Sequence, residues 1–355
     1  MNVMTLLELA KIRGASDLHL IAGSPPLMRI NGLLQAVGDR TLSGEDIAGH
    51  FTSLTSVKQR EEFDRCLELD FGYTLPGIAR LRCNAAQQQG TISLVIRLLP
   101  MILPGIDALS LPPVYKQLIM NKRGLIIISG PTGSGKSTSL AAMISYLNNI
   151  ESRRIVTIED PIEYVYSGGK CTITQRELGI DTLSYAEALK HVLRQDPDVI
   201  LVGEVRDLET VSTVLTMAET GHLVLTTGHA PSTYQAVERI IDLFPPHERQ
   251  MTQSRLASLL VAVCCQNLVP KAEGTGRVAA VEVMLANAAV RNLIRDGKTF
   301  QLPNVIRTHI SAGMQLMDQS LLALHRQGII SSETLLEFSQ DQKEVLKAST
   351  AEFAA

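Results

Sequence analysis

Residues Gly130–Ser137 read GPTGSGKS, and few octapeptides constrain a chain as tightly. The pattern G-x-x-x-x-G-K-[ST] needs a buried strand before it and a helix after it. Its backbone amides turn inward around phosphate oxygens, and the helix N-terminus faces the same anion. Both neighbours are present: Leu125–Ser129 is a short apolar run, and Leu140, Met143, Ile144 and Leu147 share one helical face. The expected cradle is Gly130, Pro131, Thr132, Gly133, Ser134, Gly135, Lys136, Ser137 and Thr138. Lys136 supplies a point charge to the outer phosphates and Ser137 a hydroxyl to Mg²⁺, so ATP and Mg²⁺ are the ligands expected.

The surrounding pattern predicts an α/β, doubly wound domain. Strands at Leu125–Ser129, Ile155–Ile158, Val199–Val202 and Leu223–Leu225 alternate with helical segments, the signature of βαβ units. Ser184-Tyr-Ala-Glu187 reads as a capping box, and Asp207–Thr220 as a helix stopped by Gly221. From about residue 285 the chain reads as helical. Residues 1–99 differ. They hold a helix at 3–12, a strand at Asp17–Ile21, a hairpin at Leu27–Leu34 turning on Asn31-Gly32, helical character over Glu45–Phe63, and strands at Leu67–Leu75, Ile78–Gln87 and Thr91–Leu99, with a Pro76-Gly77 turn. This is a small α+β domain. Residues 100–113, with four prolines, read as a semi-rigid linker to a domain spanning 114–355.

Composition removes several classes. A formal net charge of −3 argues against a nucleic-acid groove. Five cysteines without a C-x-x-C pair argue against zinc and disulfides, which fits a reducing compartment. No apolar run approaches the ~18 residues that span a bilayer, and the N-terminus has no signal-peptide pattern. A cytoplasmic protein is expected, peripheral to a membrane only through a partner.

Several further residues are candidates for chemistry. Glu204 ends the strand Val199–Val202, where a carboxylate can serve the metal, the water or both. The position before it, often Asp in P-loop enzymes, is Gly203. Glu159, Asp160 and Glu163 follow another strand and can provide a base or align a water, or can be a solvated loop. His229 ends the fourth strand, as a structural residue or a γ-phosphate sensor. Arg80 and Arg82, two apart on one strand face, and Arg97 form a solvated face or act as arginine fingers. Arg194 and Arg206 carry less weight.

Together these segments resemble the secretion ATPase superfamily of type II secretion and type IV pili. Val156-Thr-Ile-Glu-Asp-Pro-Ile-Glu-Tyr164 is similar to its Asp box, Val199-Ile-Leu-Val-Gly-Glu-Val-Arg-Asp-Leu-Glu-Thr210 to its Walker B segment, and Leu225-Thr-Thr-Gly-His229 to its His box. Ser16-Asp-Leu-His-Leu20, Ala289-Val-Arg-Asn-Leu-Ile-Arg-Asp296 and Gly313-Met-Gln-Leu-Met-Asp-Gln319 narrow the resemblance to the type IV pilus retraction ATPases, the PilT family. The resemblance implies a PAS-like N-terminal domain, a RecA-like ATPase domain and a homohexameric ring. It implies nucleotide between the domains, with Arg80, Arg82 and Arg97 completing the site, Glu163 activating water, and Glu204 and His229 near the γ-phosphate. The implied partners are an inner-membrane pilus platform protein and a paralogous retraction ATPase, at the cytoplasmic face of the bacterial inner membrane. Gly228, Ala230 and Asp296 depart from the usual Leu, Thr and Glu. The implied activity is ATP hydrolysis driving pilus retraction. Rival readings are an accessory PilU-like, secretion or competence ATPase, a pilus assembly ATPase, a nucleic-acid translocase, and a non-hydrolysing regulator.

Overall fold

The structure, a computed structural model, describes residues 2–30, 32–75, 79–99, 103–166 and 168–350. Asn31 of the hairpin turn, the Pro76-Gly77 turn, Ile78 and Pro100 lie outside the described residues. The chain divides into two compact units, Met1–Leu103 with Pro161–Tyr166, and Pro104–Asp160 with Ser167–Ala355.

The first unit runs α1 (Val3–Ile12), β1 (Asp17–Leu20), β2 (Leu27–Ile30), β3 (Leu33–Ala36), α2 (Gly44–Leu54), α3 (Val57–Cys66), β4 (Glu68–Leu75), β5 (Ala79–Gln88) and β6 (Thr91–Leu99). Its strands form one antiparallel sheet in the order β3-β2-β1-β6-β5-β4. Alternation along β5 buries Leu81, Cys83 and Ala85 and leaves Arg80 and Arg82 on the other face. The buried face meets Leu6, Leu7, Ile47 and Phe51 of α1 and α2. The helical stretch expected at Glu45–Phe63 is two helices. Thr55 and Ser56 are extended, and Ser56 caps α3 in a reciprocal box with Gln59.

The second unit runs α4 (Val114–Ile119), β7 (Gly124–Ser129), α5 (Lys136–Ile150), β8 (Arg154–Glu159), β9 (Thr172–Glu177), α6 (Tyr185–Val192), β10 (Val199–Val202), α7 (Leu208–Glu219), β11 (Leu223–Thr227), α8 (Thr233–Asp242), α9 (Arg249–Leu259), β12 (Leu260–Pro270), β13 (Arg277–Leu285), and then α10 (Ala288–Arg295), α11 (Leu302–Thr308), α12 (Met317–Arg326), α13 (Ser332–Phe338) and α14 (Gln342–Thr350). Seven strands lie in the order β13-β12-β7-β11-β10-β8-β9. All neighbours are parallel except β12 and β13, so the sheet is mixed. β7, β10 and β11 are buried throughout, as strands covered on both faces must be. The expected capping box at Ser184 is half formed. Ser184 accepts the Glu187 N–H at 3.1 Å, while the Glu187 carboxylate pairs with Lys190 at 2.8 Å. Among the described residues no helix is long and apolar enough to cross a membrane.

Candidate functional site

The strand order places four loops side by side. The Gly130–Ser137 loop leaves β7, His229 follows β11, Glu204 follows β10, and Glu159 ends β8, all at the carboxyl edge of the parallel strands. Ligands of open α/β sheets bind at this edge.

The loop is built for an anion. Gly130, Gly133 and Gly135 have φ of +139°, +78° and +87°, conformations that a side chain resists. No side chain caps the N-terminus of α5, the end of a helix that favours an anion. The Lys136 ammonium donates to the carbonyls of Gly130 at 2.8 Å and Pro131 at 3.0 Å, which holds it over the loop. The Ser134 hydroxyl is buried without a hydrogen-bond partner. A buried orphan hydroxyl inside such a loop is what a phosphate oxygen would satisfy, so the residues fit a nucleotide. Beside Gly135, Thr138 and Ser139 lies a hollow lined also by Ala108, Leu109, Leu111, Lys271 and Arg277.

Glu204 sits between Arg206 and His229. One carboxylate oxygen accepts from Arg206 at 2.7 Å, and the other lies 2.8 Å from His229 Nε2. Arg206 first, and then His229, hold this carboxyl below its usual range despite partial burial. The arrangement favours an ionised Glu204, which is a weak proton acceptor. Both oxygens are engaged, so metal ligation by Glu204 requires one of these partners to move. Among the described residues no cluster of three His, Cys, Asp or Glu could hold a metal by itself. The donor set that fits Mg²⁺ is the exposed Ser137 hydroxyl together with phosphate oxygens of the nucleotide.

Gly203 has a spatial explanation. A Cβ there would lie 2.9 Å from Tyr185 Oη and 3.2 Å from the Ile158 carbonyl. Tyr185 fills the room in which P-loop enzymes often place an Asp. Burial pushes its phenol up, and the carboxylates of Asp160, Glu159 and Glu204 push it further. Thr227 closes the same corner by donating to the Gly203 carbonyl at 2.5 Å. Glu159 is tied into its own sheet, accepting from Thr157 at 2.6 Å and Gln175 at 3.1 Å. Arg194 is exposed on the turn after α6. Neither Tyr185 nor Thr227 was distinguishable in the sequence, because their role depends on neighbours from other strands.

The remaining candidates belong to the first unit. Glu163 lies 3.5 Å from Arg82. Arg80 donates to the Ile162 carbonyl at 3.0 Å and to Thr74 at 2.9 Å. Arg82 faces Arg97 across β5 and β6, and Arg97 faces Asp17 across β6 and β1. Arg97 donates to Asp17 at 2.9 Å. Burial pulls the Asp17 carboxyl up, but the Ser16 hydroxyl and Arg97 outweigh it and leave the group below its usual range. Arg82 and Arg97 are therefore each paired with a carboxylate.

The sequence profile of the type II/IV secretion system protein family matches residues 84–337. The chain is 44% identical over 337 residues to the type IV pilus retraction ATPase PilT of Pseudomonas aeruginosa, covering 95% of this chain and 98% of that protein. It is 42% identical over 336 residues to the type IV pilus ATPase PilU of the same organism, covering 95% of this chain and 88% of that one. A crystal structure of the pilus retraction motor PilT with bound ADP superposes with a TM-score of 0.90 at 41% identity, over 97% of this chain and 98% of the other. By motif, fold and full-length similarity, this chain belongs to the PilT family of type II/IV secretion ATPases.

Proposed function

We propose that this protein is an ATP-hydrolysing motor that retracts a type IV pilus. The observation that carries the reading is the juxtaposition at one sheet edge of a complete phosphate loop and the Glu204–His229 pair, in a chain similar to PilT over nearly its whole length. Gly130–Thr138 hold the phosphates of ATP, with Lys136 as their counter-charge. The hollow beside Gly135 takes the base and ribose, and Lys271 and Arg277 lie along it. Ser137 holds Mg²⁺, which when bound neutralises charge on the phosphates. Glu204, kept ionised by Arg206, fixes His229 where loss of the γ-phosphate is sensed. Its low proton affinity leaves Glu163 as the carboxylate that directs water. Arg80, Arg82 and Arg97 stabilise the charge that develops on the phosphoryl group. The working form is a homohexamer at the cytoplasmic face of the inner membrane, acting on a pilus platform protein.

Two measurements test this. Glu204→Gln should retain ADP binding and lose turnover by about a hundredfold, read by steady-state phosphate release. Near-parental turnover would remove Glu204 from the mechanism. Deleting the gene should leave excess surface pili that do not retract. Loss of all pili would mark an assembly ATPase instead. The similarity to PilU gives a second reading, an accessory ATPase. Retraction restored by this chain alone, in a strain lacking other retraction ATPases, would exclude that.

A further inference from the structure

β12 runs beside the phosphate-loop strand on the side away from Glu204 and His229. Its register pairs Cys264 with Ile128 and Cys265 with Ser129, which places Gln266 next to the loop as it leaves β7. Gln266 is 1% exposed. Its side chain spans the loop and the helix after it. Nε2 donates to the Ser134 carbonyl at 2.7 Å, and Oε1 accepts from the Ser139 hydroxyl at 3.0 Å. The backbone of Gln266 sets the residue type at the head of the loop, because a Cβ on Gly130 would stand 2.2 Å from its carbonyl oxygen. A Cβ on Gly135 would reach Nε2 at 3.2 Å. One residue of β12 thus touches the start of the cradle through its backbone, and the end of the cradle and the following helix through its side chain.

The bond to Ser134 has a directional consequence. In a trans peptide the carbonyl of one residue and the N–H of the next point in opposite directions. Drawing the Ser134 carbonyl toward β12 turns the Gly135 N–H away from β12. Gly135 has no side chain to restrain this peptide, and its φ of +87° is open to glycine at little cost. Without the Gln266 amide, the peptide loses the contact that selects its orientation.

We propose that Gln266 is the positioning residue of the nucleotide site: it aims the Gly135 amide at bound phosphate, and through it β12 sets nucleotide affinity. This rests on the phosphate-loop reading above. Glutamine suits the place because it donates and accepts at once without adding a charge. Leu keeps the volume but makes neither bond. Glu keeps the acceptor toward Ser139, and donates to Ser134 only when protonated.

The test measures binding of a fluorescent ADP analogue to the full-length protein, together with steady-state ATPase kinetics. Gln266→Leu should weaken binding by about tenfold or more, with the KM for ATP rising in step and kcat at saturation falling far less. Gln266→Glu, whose ionised carboxylate cannot donate to the Ser134 carbonyl, should also bind more weakly than the parent at neutral pH. Ser139→Ala, which leaves the Ser134 bond intact, should have the smaller effect. Lys136→Ala is the control for the underlying reading. If it binds the analogue like the parent, the phosphate-loop assignment fails and the proposal fails with it. If Lys136→Ala loses binding while Gln266→Leu and Gln266→Glu bind within about twofold of the parent, at a level that corresponds to less than 0.5 kcal/mol, only the role of Gln266 is overturned. A lowered melting temperature with unchanged affinity also overturns it, because that is the signature of a purely structural residue.

Discussion

At the scale of single residues, Gly203 and Arg97 separate what a motif suggests from what its surroundings require. The motif alone marks Gly203 as a missing Asp. In the fold, Tyr185 Oη stands 2.9 Å from where a Cβ would begin. Gly203→Ala should therefore destabilise the protein by about 1–3 kcal/mol through overpacking. Tyr185→Phe in the same chain should recover part of that loss, which chemical denaturation of the two single variants and the double variant would measure. No recovery would mean that the Ile158 carbonyl, 3.2 Å away, is the obstacle. Arg97 is a proposed arginine finger and also the partner of Asp17. Asp17 is nearly buried and held below its usual pKa. A group depressed on folding contributes stability above its unfolded pKa and loses it as pH falls through the folded value. Arg97→Ala leaves Asp17 buried with weaker compensation. The melting temperature of the variant should fall clearly below the parent's at neutral pH, and the gap should narrow below about pH 4. A turnover defect with no such pH-dependent gap would assign Arg97 wholly to catalysis.

At the scale of elements, the sequence was most legible where local pattern and tertiary environment agree. β7, β10 and β11 are short apolar runs bounded by breakers, and they are buried on both faces as such runs predict. The helix after the phosphate loop, and Gly221 at φ +99° closing α7, were equally readable. β12 was not. Leu259–Val263 is a short apolar run that fits helix or strand alike, and the chain changes from α9 to β12 inside it. β9, an edge strand with few buried positions, offered no apolar alternation to read. Of the site, the residues on contiguous motifs were visible, whereas Gln266 and Tyr185 reach it from strands and helices remote in sequence. Glu282 on β13 likewise joins elements remote from it in sequence. Its carboxylate is 3% exposed, accepts from the N–H and hydroxyl of Thr233 at 2.7 and 2.6 Å, and lies 3.3 Å from the Met317 N–H. Thr233 and Met317 open α8 and α12, so one carboxylate caps two helices. Glu282→Ala should cost about 2–4 kcal/mol in urea unfolding, since it orphans two amides and a hydroxyl. Glu282→Gln, which keeps one acceptor, should cost about half of that. Equal losses would mean that the retained shape and single acceptor contribute nothing and that the ionised carboxylate carries the whole effect.

At the scale of the whole molecule, each unit has its own apolar core. One is built on Leu6, Leu18, Phe71 and Leu94, and the other on Leu125, Ile200, Leu215 and Val263. Separate cores give each unit the means to unfold as its own cooperative transition. The entire phosphate loop, with Gln266, belongs to the second. A ligand stabilises only the state that binds it, by about 2.7 kcal/mol at a hundred times its dissociation constant. Scanning calorimetry with ADP at that excess should therefore raise the transition of the second unit by several degrees. Lys136→Ala should abolish the rise, because it removes the counter-charge that the loop holds over the phosphates through the carbonyls of Gly130 and Pro131. Gln266→Leu should reduce the rise in proportion to its weakened affinity. It should also lower the ligand-free transition, because it strands the Ser139 hydroxyl and the Ser134 carbonyl. The two variants thus separate a residue that meets the nucleotide from one that shapes the loop meeting it. An ADP-induced rise that survives Lys136→Ala would place the nucleotide elsewhere in the molecule.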